Sequence, residues 1–149
     1  MRRAKVRPSI LIIDDNTIDR ELLAEILGEY EIFQAVDGEE GLEILNLHYN
    51  EIAVVLLDVI MPKMDGYDFL QEWKQDAKVA SIPVIVITGI DSVEQELKCL
   101  KLGATDFIRK PYNPKVIQTR IANTIKFRQS SGRLFYLSGW WKRRIYILQ

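Results

Sequence analysis

Ala53-Val54-Val55-Leu56-Leu57-Asp58-Val59-Ile60-Met61-Pro62-Lys63-Met64-Asp65-Gly66 is the stretch whose reading settles the architecture. It begins as an unbroken apolar run of strand length and stops at a carboxylate. A strand without polar alternation is buried on both faces, which places it in the middle of a parallel sheet. Four more short runs share the chain with it: Ile10–Ile13, Glu31–Ala35, Val84–Ile87 and Asp106–Arg109. Those at 10–13, 53–57 and 84–87 are nearly all Val, Ile and Leu, so they are expected as central strands.

Amphipathic segments fill the intervals. Ile18, Leu22, Leu23, Ile26 and Leu27 recur at helical spacing, and Gly28 follows at the position that ends many helices. Leu42, Leu45 and His48 continue a second helix after the turn signal Asp37-Gly38. A third is predicted from about Gly66 to Asp76, carrying Tyr67, Leu70 and Trp73. The fourth is predicted over Val93–Leu102, capped by Asp91-Ser92, with Glu94 and Glu96 near its positive end. A fifth starts near Asn113-Pro114 and continues through Val116, Ile117, Ile121 and Ile125. Strict alternation of strand and helix implies right-handed crossovers and a doubly wound α/β sandwich, for which 2-1-3-4-5 is the common order of five strands.

The 149 residues suit one domain of ordinary size, and 48% hydrophobic with 28% charged residues is the balance of a folded soluble chain. The net charge of −1 conceals a split. Residues 1–106 hold 10 Lys/Arg against 21 Asp/Glu, a charge of −11, whereas residues 107–149 hold 10 Lys/Arg and no acid. Such a basic end suits an acidic partner, nucleic acid or anionic lipid, although a solvated face is the commoner outcome. Cys99 is the only cysteine, so no intrachain disulfide can form and a reducing cytoplasm is expected; its place in a helix marks it as a small buried residue. The basic start up to Arg7 is followed by an apolar run that is short and ends in two aspartates, unlike a signal peptide. No stretch approaches the roughly 20 apolar residues that span a bilayer.

In an open α/β sheet, ligands bind beyond the carboxyl ends of the strands. Strand one here ends in Asp14-Asp15, strand three in Asp58, strand four in Thr88, and strand five in Lys110-Pro111. Three carboxylates crowded together resist ionising unless a cation balances them. Mg²⁺ suits the set, because it needs few protein carboxylates and fills its octahedral shell with water or phosphate oxygens. A carboxylate is a competent nucleophile toward phosphorus, and phosphoryl transfer asks mainly for positioning and charge neutralisation. Taken singly, Asp14-Asp15 reads equally as a polar helix cap, Thr88 as a β-branched strand residue and Lys110 as a solvated lysine. Their functional weight comes from sharing one edge.

Four ordered pieces carry a family resemblance: Ile12-Ile13-Asp14-Asp15, the segment Leu57–Gly66, Ile87-Thr88-Gly89, and Gly103-Ala104-Thr105-Asp106-Phe107-Ile108-Arg109-Lys110-Pro111. Through them the chain resembles the chemotaxis-regulator-like receiver domain of response regulators in two-component signalling, from roughly Ser9 to Phe127. The resemblance implies a flavodoxin-like receiver fold, with residues 1–129 the expected domain; residues 130–149, an aromatic and basic C-terminal extension, are too short to form an independent one. It implies that Asp58 is the phosphoacceptor, that Asp14, Asp15, Asp58 and the backbone carbonyl of Ile60 hold Mg²⁺, and that Thr88 and Lys110 bind the phosphoryl group. Thr88 and Phe107 would act as the switch, and the Lys110–Pro111 bond would be cis. The implied donor is a phosphohistidine on a sensor histidine kinase or a phosphotransfer protein. Phosphorylation would remodel the face of helix four, strand five and helix five for partner binding or homodimerisation, with self-phosphorylation and self-dephosphorylation the only activities.

Two positions depart from the family's most familiar pattern. Phe107 stands where tyrosine is frequent, and Ile60 puts an apolar group where a polar one could position a hydrolytic water, so slow self-dephosphorylation is expected. An aspartyl-nucleophile phosphatase of the haloacid-dehalogenase type would need a second acid at position 60. The intact acids and lysine also weigh against an interaction module independent of phosphorylation. A break is expected at Gln129-Ser130-Ser131-Gly132. Beyond it, Arg133–Leu137, Ser138-Gly139 and Trp140–Leu148 form either a hairpin, an aromatic-basic docking strip, or an extension toward an output domain; direct nucleic-acid binding is not expected.

Overall fold

Residues 7–61 and 64–139 are described by the computed structural model, with side chains as far as Phe127. The apolar runs become strands β1 (Ser9–Ile13), β2 (Glu31–Ala35), β3 (Ile52–Leu57), β4 (Val84–Thr88) and β5 (Asp106–Arg109). Between and after them lie α1 (Thr17–Ile26), α2 (Gly38–Leu47), α3 (Gly66–Gln75), α4 (Val93–Lys101) and α5 (Pro114–Gly139). The sheet is parallel throughout, in the expected order β2-β1-β3-β4-β5, and the chain reverses its winding direction between β1 and β3.

Side-chain caps start the first four helices. Asn16, Asp37, Asp65 and Ser92 each accept a hydrogen bond from the backbone N–H three residues on, satisfying a donor that the helix itself leaves open. The Asp37-Gly38 and Asp65-Gly66 turn signals are thus cap and first residue of α2 and α3. Gly66 is also a matter of space. A Cβ there would lie 2.3 Å from the Val59 Cα, so any other residue would force the β3–α3 loop apart.

Leu11, Ile13, Val55, Leu57, Val84 and Val86 pack with Phe69, Leu70 and Trp73 of α3 in the main core. Trp73 is a packing residue whose indole N–H donates to the carbonyls of Val79 (3.0 Å) and Ile82 (3.1 Å). Cys99 is buried as expected, and His48 ends α2, stacked on Phe33 and paired with Glu51.

Helical spacing overstated burial in several places. Ile18 and Leu22 of α1 are exposed while Leu23 and Leu27 carry its buried contacts. In α4 only Cys99 is buried, and Val93, Leu97 and Leu100 face solvent. Periodicity reports which residues share a face, not whether anything covers it.

A first compact unit ends at Pro114, and a second, beginning at Lys115, contains nearly all of α5. Within α5, Ile117, Ile121 and Ile125 are buried and Val116 is exposed. The expected break at Gln129–Gly132 is absent, because α5 runs on to Gly139 and makes Arg133–Leu137 helical rather than one arm of a hairpin. Extending a formed helix is far easier than nucleating one, so two serines and a glycine without a proline do not stop it. The expected second arm, residues 140–149, lies outside the described residues. Among the described residues, no helix is long and apolar enough to cross a membrane.

Candidate functional site

Strand register brings the expected residues together. Ile13 pairs with Leu57, so Asp14 and Asp58 emerge side by side one residue later. The Asp58 N–H donates to the Ile13 carbonyl (2.9 Å) and the Asp14 N–H to the Ala35 carbonyl (3.1 Å), which carries the sheet's bonding into the loops. Thr88 pairs with Arg109, and the Lys110 N–H donates to the Thr88 carbonyl (2.8 Å). The Lys110–Pro111 peptide bond is cis.

Lys110 reaches back over this edge. Its Nζ lies 3.2 Å from Asp14 Oδ2 and 3.4 Å from Asp58 Oδ2. It also lies 3.0 Å from Asp19 Oδ2, a carboxylate on α1 that sequence reading passed over. Asp19 falls in the first helical turn after strand one, on the edge where the acids collect, and that position was the available signal. Arg20 was missed too. Its buried guanidinium donates to the Asp14 carbonyl (2.7 Å), to Gln34 Oε1 (3.1 Å) and to Thr17 Oγ1 (3.3 Å), clamping the loop that carries the acids.

Asp14 is only 3% exposed, Asp58 is half-buried and Asp15 is exposed, yet the three offer carboxylate oxygens within 4.8 Å of one another. Burial pushes the Asp14 carboxyl above its ordinary value; the Asn16 N–H and Lys110 oppose that, and Asp58 adds to it. Burial alone would lower the Lys110 pKa, but Asp19, Asp58 and Asp14 outweigh it and push it above the ordinary lysine value, so the ammonium stays charged. One ammonium among four carboxylates leaves the edge net negative. An all-oxygen donor set with an excess of negative charge fits a hard divalent cation, and Asp14, Asp15 and Asp58 are the residues able to hold one.

The Asp58 carboxylate is oriented by the Ile60 N–H, which donates to Oδ1 (3.1 Å). The Ile60 side chain itself is exposed and brings no polar group. Thr88 is wholly buried, and its Oγ1 is the one buried side-chain polar atom without a hydrogen-bond partner among the described residues. Such an atom in a native fold calls for an explanation, such as a bound ligand, an ordered water or a second state. Phe107 is buried in the core.

Comparison with known proteins gives a consistent picture. The family model described as "Response regulator receiver domain" matches residues 10–122. The "Probable transcriptional regulator ycf27" of Cyanophora paradoxa is 37% identical over 122 residues, covering 80% of this chain and 49% of that protein. The chain thus spans about half the length of that relative. A response regulator receiver domain protein from Clostridium thermocellum superposes with a TM-score of 0.76 at 30% identity, covering 83% of this chain and 98% of the other. The CheX-CheY-BeF3-Mg²⁺ complex from Borrelia burgdorferi contains a chain similar at 32% identity and a TM-score of 0.74, covering 79% of this chain and 89% of that one.

Proposed function

Since the chain belongs to the response regulator receiver domain family, we propose that residues 1–129 form a phosphoacceptor module that takes a phosphoryl group on Asp58. The donor is a phosphohistidine on a sensor kinase or phosphotransfer protein, met in the cytoplasm. A carboxylate oxygen of Asp58 attacks phosphorus, the P–N bond breaks, and the electron pair leaves with the imidazole, which takes up a proton. The product is an acyl phosphate. Lys110 supports this reading by lying within reach of both Asp14 and Asp58, where it can neutralise a phosphoryl oxygen. Mg²⁺, held by Asp14, Asp15, Asp58 and the Ile60 carbonyl, supplies further positive charge to those oxygens when bound.

The observation that carries the reading is the unpartnered Thr88 hydroxyl. It sits buried on β4, between the strand that bears Asp58 and the strand that leads to Lys110. A phosphoryl oxygen gives this hydroxyl an acceptor, and its movement toward that acceptor would free Phe107 to change position. Helix four, strand five and helix five then form the responsive face, for a partner or a second copy of the chain, as a shift between two populated states. Incubation with a small phosphodonor and Mg²⁺ should add one phosphoryl group by mass spectrometry, with none on Asp58→Asn. Uptake that survives this substitution would refute the assignment.

The exposed apolar Ile60 side chain supports slow self-dephosphorylation, because it offers no hydrogen bond to an attacking water. Ile60→Asn should shorten the acyl phosphate's lifetime. A lifetime of seconds in the native chain, unchanged by the substitution, would contradict this.

A further inference from the structure

Lys110 has three N–H donors and no acceptor, and three carboxylates surround it. Asp14 and Asp58 belong to the cluster of acids that can hold a metal; Asp19 does not. It sits instead on α1, in the first turn, with its backbone N–H fastened to Asn16 Oδ1 (2.9 Å). Its carboxylate is nevertheless nearest to the ammonium, at 3.0 Å against 3.2 Å and 3.4 Å. At 39% exposure the Asp19 side chain can rehydrate if it lets go, whereas Asp14, at 4%, cannot. The Asp19 bond is therefore the one that Lys110 can most easily exchange for a bond to another anion.

We propose that Asp19 is a positioning residue: it tethers the Lys110 ammonium in the unphosphorylated protein and competes with the arriving phosphoryl group for it. The proposal rests on Asp58 being the phosphoacceptor and goes beyond it, since it makes the readiness of Lys110 a variable set from α1. No strand-end motif includes this residue. The tether has two consequences. It keeps the long lysine side chain over the site instead of in solvent, and it holds back one of the donors that a phosphoryl oxygen needs.

The test compares Asp19→Asn and Asp19→Glu with the native chain, each with Lys110 present and in a Lys110→Ala background. Uptake of a phosphoryl group from acetyl phosphate and Mg²⁺, and affinity for beryllofluoride, are the readouts. Asp19→Asn should raise both by roughly threefold to fivefold, the scale of one partly exposed ion pair. Asp19→Glu retains the carboxylate and should stay nearer the native chain than Asp19→Asn. With Lys110→Ala, the gain should vanish, because a double-mutant cycle isolates the pair. No gain, a loss, or a gain that persists without Lys110 would each overturn the proposal. The Lys110 ammonium resonance of the unphosphorylated protein gives a second reading. It should move with Asp19→Asn and hold with the surface control Glu21→Gln, and its indifference to Asp19 would also overturn the tether. A native chain that takes up no phosphoryl group while this resonance responds would refute the phosphoacceptor reading and leave the tether standing.

Discussion

Every residue of β1 and β4 is buried, whereas α4 buries Cys99 alone. The strands are fixed by continuous apolar packing and by backbone bonds that run past their ends into Asp14, Asp58 and Lys110. Beside its one buried residue, the helix makes polar contacts that can be remade. Tyr67 Oη donates to Gln95 Oε1 (2.6 Å), the Lys98 ammonium lies 4.0 Å from the centre of the Tyr67 ring, and Arg109 pairs with Glu96 (2.9 Å) and Asp91 (3.5 Å). Exposed ion pairs of this kind are each worth under about 1 kcal/mol, while a buried leucine is worth several. The difference suits the proposed switch, in which phosphoryl transfer on a firmly packed edge is reported by a less deeply seated helix. Low local stability is what a moving element needs.

The most damaging way to break the contrast is to hollow the rigid side. Leu57 is fully buried and directly precedes Asp58, so Leu57→Ala leaves a cavity beneath the proposed phosphoacceptor. It should cost about 2–5 kcal/mol in urea unfolding, and phosphoryl uptake should fall with it. A loss under about 1 kcal/mol would mean that the strands are no better fastened than α4.

The two regions also differ in how legible they were. Strand ends could be read because an apolar run on a doubly buried strand stops abruptly where the chain leaves the core, as at Leu57-Asp58 and Ile13-Asp14. Alternation and handedness pointed to a doubly wound sheet, whose common strand order the structure bears out but the sequence alone does not fix, and the strand ends marked the site. The depth of α4 could not be read, since Val93, Leu97 and Leu100 have the spacing of a core face whether or not another layer covers them. Asp19 was hidden by its ordinary look: an acid in a first helical turn is already explained by the helix dipole. The length of α5 was misjudged because Ser130-Ser131-Gly132 weakens a helix locally without ending it.

A gentler probe asks whether α4 opens. Burial raises the Cys99 thiol above its ordinary value; Lys98 opposes this and Glu96 adds to it. At pH 8 the thiolate fraction is therefore smaller than that of a free thiol, and alkylation of the folded protein should be slow, rising only at higher pH or on unfolding. Arg109→Ala removes both ion pairs to the α4 region and should cost under about 1 kcal/mol in unfolding. It should still speed Cys99 alkylation measurably at fixed pH, because labelling samples local opening that global unfolding overlooks. Equal labelling rates in the two proteins would show that α4 is seated by something other than these pairs.

The smallest expected change in stability is at Thr88, where the two regions meet. Its hydroxyl is buried without a partner, so replacing it removes no hydrogen bond and relieves the cost of an unsatisfied group. Valine keeps the β-branched shape that the strand favours. Thr88→Val should therefore shift unfolding by under about 1 kcal/mol, toward greater stability if at all. The same substitution takes away the only group on β4 proposed to sense the phosphoryl oxygens. With beryllofluoride bound, the native chain should show altered amide signals along α4, and Thr88→Val should show those changes much reduced while the signals of Asp14 and Asp58 still respond. A variant that is clearly destabilised would mean that the hydroxyl has a partner in solution. A variant whose α4 signals respond like those of the native chain would mean that the edge and the helix communicate by another route.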